Sequence, residues 1–259
     1  MMKKFLLIFL LSFSVTGCLV VGADHKEQEV VEKTLALEPG GLIKLTNYNG
    51  AIEVRSWNRS EVQLVAIKRA SANTQEQALD RLKETKIEID ESAGRIEIRT
   101  RIPKNRSRGW FGSGGASVRY ELTVPEVVNL DLRSTNGKIS IEGIQGRVEA
   151  GTTNGKLELQ GIRGSFDIGT TNGSINAELL EHSGKDDVEA STTNGSVTVA
   201  LPSGIQADLR VRTTNGRVRT DFPVEVSSRG RKIDAKLNGG GPRIRISTTN
   251  GSVRINEAR

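Results

Sequence analysis

Along most of the chain, apolar and polar residues alternate with a period of two. Leu42-Ile43-Lys44-Leu45, Ile52-Glu53-Val54 and Val62-Gln63-Leu64-Val65 open the pattern. Ile139 and Ile141 continue it between Lys138, Ser140 and Glu142, as do Val148 and Ala150 between Arg147 and Glu149. Such alternation predicts strands with one buried face. It is interrupted by glycine-rich corners such as Gly143-Ile144-Gln145-Gly146 and Gly161-Ile162-Arg163-Gly164. One stretch reads differently. In Ser71 to Glu84, Thr74 and Gln77 match a capping box and Ala78 shares a face with Leu82, which predicts one short helix near 74–85. After it, Lys86 to Asp90 and Arg95 to Arg99 flank Glu91-Ser92-Ala93-Gly94, a hairpin or a wide corner.

From Ser134 onward a phrase recurs. Ser134-Thr135-Asn136-Gly137 is followed by Thr-Thr-Asn-Gly at 152–155, 170–173, 192–195, 213–216 and 248–251. Asn136, Asn154 and Asn172 lie 18 residues apart, and the later gaps are 22, 21 and 35. Asn47-Tyr48-Asn49-Gly50 is a divergent first copy. A period in this range marks a repeat architecture. Antiparallel hairpins with Asn-Gly turns are one arrangement that fits. The other is a parallel β-solenoid of about 18 residues per coil, and recurrence at one corner only favours it, because identical side chains stack into ladders. The expected fold class is therefore all-β, a parallel β-solenoid with right-handed connections and one short helix. In this reading Asn136, Asn154, Asn172, Asn194, Asn215 and Asn250 are structural, their amides satisfying corner backbone groups. Gly137, Gly155, Gly173, Gly195, Gly216 and Gly251 supply the positive φ of a sharp turn. The 35-residue gap is expected to hold a degenerate coil with Leu237 to Pro242 at its corner, and the last coil to form the end of the stack, guarded by Arg254, Glu257 and Arg259.

The first residues do not fit the strand pattern. Lys3 and Lys4 precede the apolar run Phe5 to Phe13, and Val15-Thr16-Gly17-Cys18 resembles a bacterial lipoprotein cleavage box. The expected organisation is a signal peptide over 1–17, a lipidated tether over 18–28 beginning at Cys18, and one domain over 29–259. Within that domain, 29–125 is irregular and 126–259 carries the regular repeats. Acyl chains at Cys18 would make the membrane a partner. Leu19 after Cys18 resembles outer-membrane sorting if the envelope is Gram-negative. Cys18 is the single cysteine, so no intramolecular disulfide is available. The formal net charge of +6 falls to +4 without Lys3 and Lys4. Charges of both signs are interleaved along strands, and export argues against a nucleic-acid partner.

Candidate chemistry is sparse. A calcium β-roll needs aspartates at its corners, which here read Asn-Gly-Lys or Gly-Ile-Arg-Gly. A polysaccharide-cleaving β-helix needs clustered carboxylates and aromatic platforms, yet aromatics are 4% of the chain. Asp186, Asp187 and Glu189 near His182 and Ser183 read as a small acidic or metal site, or as a polar loop bulging from a coil. An ice-binding face needs a flat, two-column threonine array, against which the unequal spacings argue. There is no serine-hydrolase elbow, P-loop or paired Cys-x-x-Cys. No catalytic residue, metal or cofactor is assigned. Between Pro103 and Ser117, Arg106 and Arg108 stand beside Trp110-Phe111 in a glycine- and serine-rich loop, a candidate contact for a partner or membrane surface.

The order of parts resembles a bacterial family of proposed adhesins, a domain family of unknown function with β-solenoid members. Asn49-Gly50, Val54-Arg55-Ser56-Trp57, Glu61-Val62, the short helix, Tyr120 to Pro125, the serial Asn-Gly repeats and Leu237 to Gly241 carry the resemblance over roughly 40–256. It implies an envelope location and an adhesive role, with no ligand or catalytic residues to carry over. The expected function is a lipid-anchored, non-catalytic surface for an unknown protein or glycan. A periplasm-facing structural or stress lipoprotein is the alternative, and a polysaccharide-degrading enzyme a third.

Overall fold

The computed structural model describes residues 25–92, 94–102, 115–226 and 230–258. Cys18 and the loop residues Arg106, Arg108, Trp110 and Phe111 lie outside the described residues.

The chain is all-β with one helix among the described residues. It begins with β1 (His25–Ala36), β2 (Leu42–Thr46), β3 (Ile52–Trp57) and β4 (Glu61–Ala72). The helix α1 (Gln75–Glu84) follows, capped by Thr74, whose hydroxyl accepts the Gln77 N–H at 3.3 Å. It buries Ala78 and Leu82, the face that the sequence pattern marks. Next come β5 (Lys86–Ser92) and β6 (Arg95–Arg101), an antiparallel hairpin, and then β7 (Ala116–Pro125). The first repeats supply β8 (Asn129–Asn136), β9 (Ile139–Glu142), β10 (Gln145–Asn154), β11 (Leu157–Asn172) and β12 (Ile175–His182). The later ones supply β13 (Val188–Asn194), β14 (Val197–Leu201), β15 (Ala207–Asn215) and β16 (Val218–Thr220). The chain ends with β17 (Lys232–Leu237), β18 (Arg243–Asn250) and β19 (Val253–Glu257).

All 19 strands join one hydrogen-bonded sheet, which resolves into two ladders. The first runs β5-β6-β2-β8-β10-β11-β13-β18-β15-β17. The second runs β1-β4-β7-β3-β9-β11-β12-β14-β19-β16. The long strand β11 belongs to both, its first half to the second ladder and its second half to the first. Interior pairs are parallel, and the antiparallel pairs β1–β4, β4–β7, β5–β6 and β15–β17 lie toward the ends.

The expected uniform succession of 18-residue coils is not what these registers show. Val148 faces Phe166 at that offset, but Ile168 faces Ala190, Ala190 faces Ile246 and Val211 faces Ile246. The last repeat in sequence, β18 with β19, therefore lies between β13/β14 and β15/β16. β2 with β3 is likewise held between β6/β7 and β8/β9. Among the described residues the 35-residue gap holds no degenerate coil: β17 returns antiparallel along the open side of β15. The reversal to β18 passes through Asn238, Gly239 and Gly240, all at positive φ, where glycine carries no Cβ penalty. Arg254 and Glu257 accordingly sit on an inner strand of the second ladder, which ends at β16, while β17 ends the first; Arg259 lies outside the described residues.

The period-two pattern explains the core. In the first ladder Leu130, Leu132, Val148, Ala150, Phe166 and Ile168 point inward and are buried, and in the second Ile139, Ile141, Leu157, Leu159, Ile175 and Val197. All belong to one contiguous apolar cluster. Fully burying such a side chain is worth about 1.5–3 kcal/mol. A single repeat offers only a few of them, so neighbouring repeats must share the core.

Candidate binding surface

Each Thr-Thr-Asn-Gly joins a strand of the first ladder to one of the second, and each of its residues has a different task. The first threonine continues the inward alternation. Thr152, Thr170, Thr192, Thr213 and Thr248 are buried, and their hydroxyls donate to the carbonyls of Gly137, Gly155, Gly173, Gly251 and Gly195 at 2.7–3.2 Å. Each bond crosses to the neighbouring repeat. The second threonine faces out, with Thr153, Thr171, Thr193, Thr214 and Thr249 exposed in neighbouring repeats.

The asparagines are also exposed. Asn136 Nδ2 donates to Asn49 Oδ1, Asn154 to Asn136, Asn172 to Asn154, Asn194 to Asn172, Asn250 to Asn194 and Asn215 to Asn250, all at 2.8–2.9 Å. The amides thus bond one another as a ladder in spatial order, whereas the expectation also had them satisfying the backbone. That work falls to the buried threonines and to the glycine N–H groups, as in Gly155 N–H to Asn172 O at 3.0 Å. The reason for glycine differs too. Gly137, Gly155, Gly173, Gly195 and Gly216 are not at positive φ. A Cβ on any of them would lie 1.8–2.1 Å from the glycine carbonyl oxygen of the adjacent repeat. Glycine is required there by the closeness of the next strand.

The divergent first copy closes differently. Asn47 takes the place of the inward threonine, and its amide donates to Val118 O at 2.8 Å. The Thr100 hydroxyl donates to Asn47 Oδ1 at 2.9 Å and lies 2.7 Å from the Tyr120 hydroxyl. Burial drives the Tyr120 phenol up to about 12, against a smaller opposing effect of the Thr100 bond.

The outward positions are polar and in register. Arg133 reaches Asp131 and Glu149, Arg119 reaches Glu53 and Glu121, and Lys138 and Lys156 both reach Glu158. The two lysines hold the Glu158 carboxyl below its ordinary range, hydrogen bonding outweighing its partial burial. A shallow groove over the second ladder is lined by Glu158, Gln160, Asn176, Glu178 and Thr198.

Residues 41–256 match the family model described as Toastrack DUF4097. The chain belongs to the Toastrack family. Among solved structures, the Toastrack chain is similar to a proposed cell adhesion protein from Clostridium sporogenes, at 16% identity and a TM-score of 0.45, covering 89% of this chain and 100% of that one. It is also similar to a proposed adhesin from Bacteroides fragilis, at 13% identity and a TM-score of 0.42, covering 89% and 97%. A proposed lipid binding protein from Parabacteroides distasonis matches at 10% identity and a TM-score of 0.25, covering 89% and 97%. No curated protein matches the chain in sequence.

The acidic loop of this Toastrack domain is held by its own backbone. His182 Nε2 lies 2.9 Å from Asp186 O, and Gly184 N–H donates to His182 Nδ1 at 3.0 Å. The Asp187 carboxylate accepts the Arg243 N–H at 2.9 Å and so ties the loop to β18. Among the described residues, no group of three or more His, Cys, Asp or Glu is placed to hold a metal ion.

Proposed function

We propose that the protein is a lipid-anchored, non-catalytic component of the cell envelope whose stacked repeats form a solenoid-like scaffold with an adhesin-like binding face. One observation carries the reading. Polar side chains line up in register across the outer faces of both ladders, while the interior is filled by apolar ones. Extended, regular faces of this kind suit extended ligands. Many of the carboxylates, for their part, are held in ion pairs along the strands.

The anchor part of the proposal rests on the Lys3-Lys4 start, the apolar run and Cys18. Intact cells treated with protease or antibody, beside permeabilised cells, test the outward-facing part. Labelling of intact cells supports an adhesive face toward the exterior. Labelling only after permeabilisation sinks it and leaves a periplasm-facing structural role. Cys18→Ala should move the protein from the membrane to the soluble fraction. Retention of the variant at the membrane would overturn lipid anchoring.

A further inference from the structure

Many outward charges along the two ladders meet a partner of opposite sign, whereas three arginines at one end of the second ladder meet none among the described residues. On the first ladder, Arg210 and Arg245 stand opposite each other in adjacent strands. Like charges in that position are destabilising. Each has a carboxylate on its outer side, Asp234 at 3.8 Å from Arg210 and Glu189 at 3.6 Å from Arg245. On the second ladder, Arg219 and Arg254 stand opposite each other in the same way. The strand beyond Arg254 offers Thr198, and β16 is the end of the ladder. Arg217 precedes Arg219 by two residues and shares its face. All three are exposed, and among the described residues none of the three guanidinium groups has a carboxylate partner. Beside them the outward positions carry hydroxyls and an amide, Ser252 on the loop before β19, Ser196 and Thr198 by β14 and Asn176 on β12, with one exposed carboxylate, Asp221, two residues after Arg219.

We propose that Arg217, Arg219 and Arg254 form a binding site for an acidic polysaccharide. Guanidinium forks match carboxylate or sulfate groups bidentately, and the neighbouring hydroxyls and amide suit sugar hydroxyls. A strand spacing of about 4.8 Å sets the arginines close enough for successive charged groups of one polymer. A membrane surface fits less well, because among the described residues the exposed large apolar ones are Val30, Tyr48, Leu79 and Val127, none on this face. The patch also lies at the opposite end of the second ladder from β1, nine strand steps or roughly 40 Å away. The inference deepens the binding-face reading above and rests on it.

The test uses the full chain with alginate as the probe, neutral dextran as the control, and vesicles of phosphatidylglycerol in phosphatidylcholine. The wild type is expected to bind alginate in a salt-sensitive way and to ignore dextran. Arg217→Gln/Arg219→Gln/Arg254→Gln should lose about tenfold or more in affinity. Its melting should stay unchanged or rise, since like charges are relieved. Equal alginate binding by wild type and variant, or vesicle binding without alginate binding, overturns the site. Retention on isolated cell envelopes separates the two readings. If wild type and variant are both retained equally, the envelope-binding reading stands and the arginine site fails. If neither is retained while alginate binding depends on the arginines, the site stands and the envelope-binding reading fails.

Discussion

Gly173→Ala is the sharpest perturbation of the corner. The added Cβ would stand 1.9 Å from the Gly155 carbonyl oxygen and 3.3 Å from the Lys156 nitrogen. A tolerable carbon–oxygen approach is about 3.3 Å, so the two repeats would have to part by more than about 1 Å where strands are about 4.8 Å apart. Both offending atoms are backbone, and no rotamer change relieves them. Parting the strands weakens Gly155 N–H to Asn172 O, 3.0 Å, and Asn172 Nδ2 to Asn154 Oδ1, 2.8 Å. Overpacking at about 1–3 kcal/mol, with two hydrogen bonds at about 1 kcal/mol each, gives a loss of about 3–5 kcal/mol. For a domain of this size that corresponds to roughly 10 °C in melting temperature. Gly204→Ala is the matched control, since a Cβ there meets nothing within 4 Å and its φ is ordinary. Circular dichroism melts of both variants decide the matter. Equal melting temperatures would refute the argument that close approach dictates glycine at this corner.

Other expectations follow from the same geometry. Thr192→Val leaves the Gly173 carbonyl without its hydroxyl donor and should cost about 1–3 kcal/mol, whereas exposed Thr193→Val should be within about 0.5 kcal/mol of wild type. Asn172→Ala removes one donor and one acceptor from the exposed amide ladder and should lower the melting temperature modestly while leaving alginate binding intact. Tyr120 is raised from 10.0 to about 12 on folding, so its contribution is complete below pH 10 and fades as pH rises toward 12. Denaturant titrations should show about 2–3 kcal/mol lost over that window, and Tyr120→Phe should abolish this part of the alkaline slope. Glu158 is lowered instead, so its stabilisation is present at neutral pH and lost on acidification below the ordinary carboxylate range. Glu158→Gln should melt below wild type at pH 7, with the gap closing toward acid.

Much of the fold is legible from local pattern. Alternation identifies the inward residues because the side-chain period of a strand is two, and Thr74 with Gln77 marks the helix start by a bond that a short-range motif encodes. The order of repeats is not legible in this way. Thr-Thr-Asn-Gly at 192, 213 and 248 looks alike, so each repeat could neighbour any other. The antiparallel return of β17 decides that β18 enters between β13 and β15. The roles at the corner were half visible. The first threonine lies two residues beyond an inward residue, Ala150 or Ile168, which marks Thr152 and Thr170 as inward. Nothing in the phrase tells a glycine chosen for φ from one chosen for lack of a Cβ, since that depends on the next strand. The arginine site was hidden for the same reason: Arg219 and Arg254 are far apart in sequence and meet only through the inserted repeat.

That insertion underlies both the corner geometry and the arginine face, and disulfide trapping tests it directly. In a Cys18→Ser background, Thr193→Cys/Thr249→Cys places thiols on adjacent strands, within the Cα separation of about 4.4–6.8 Å that a disulfide requires. Thr193→Cys/Thr214→Cys places them two strands apart, roughly 10 Å. Mild oxidation should close an intramolecular disulfide rapidly in the first pair and leave the second open. Preferential closure of 193 with 214 would place the repeats in sequence order and contradict the account.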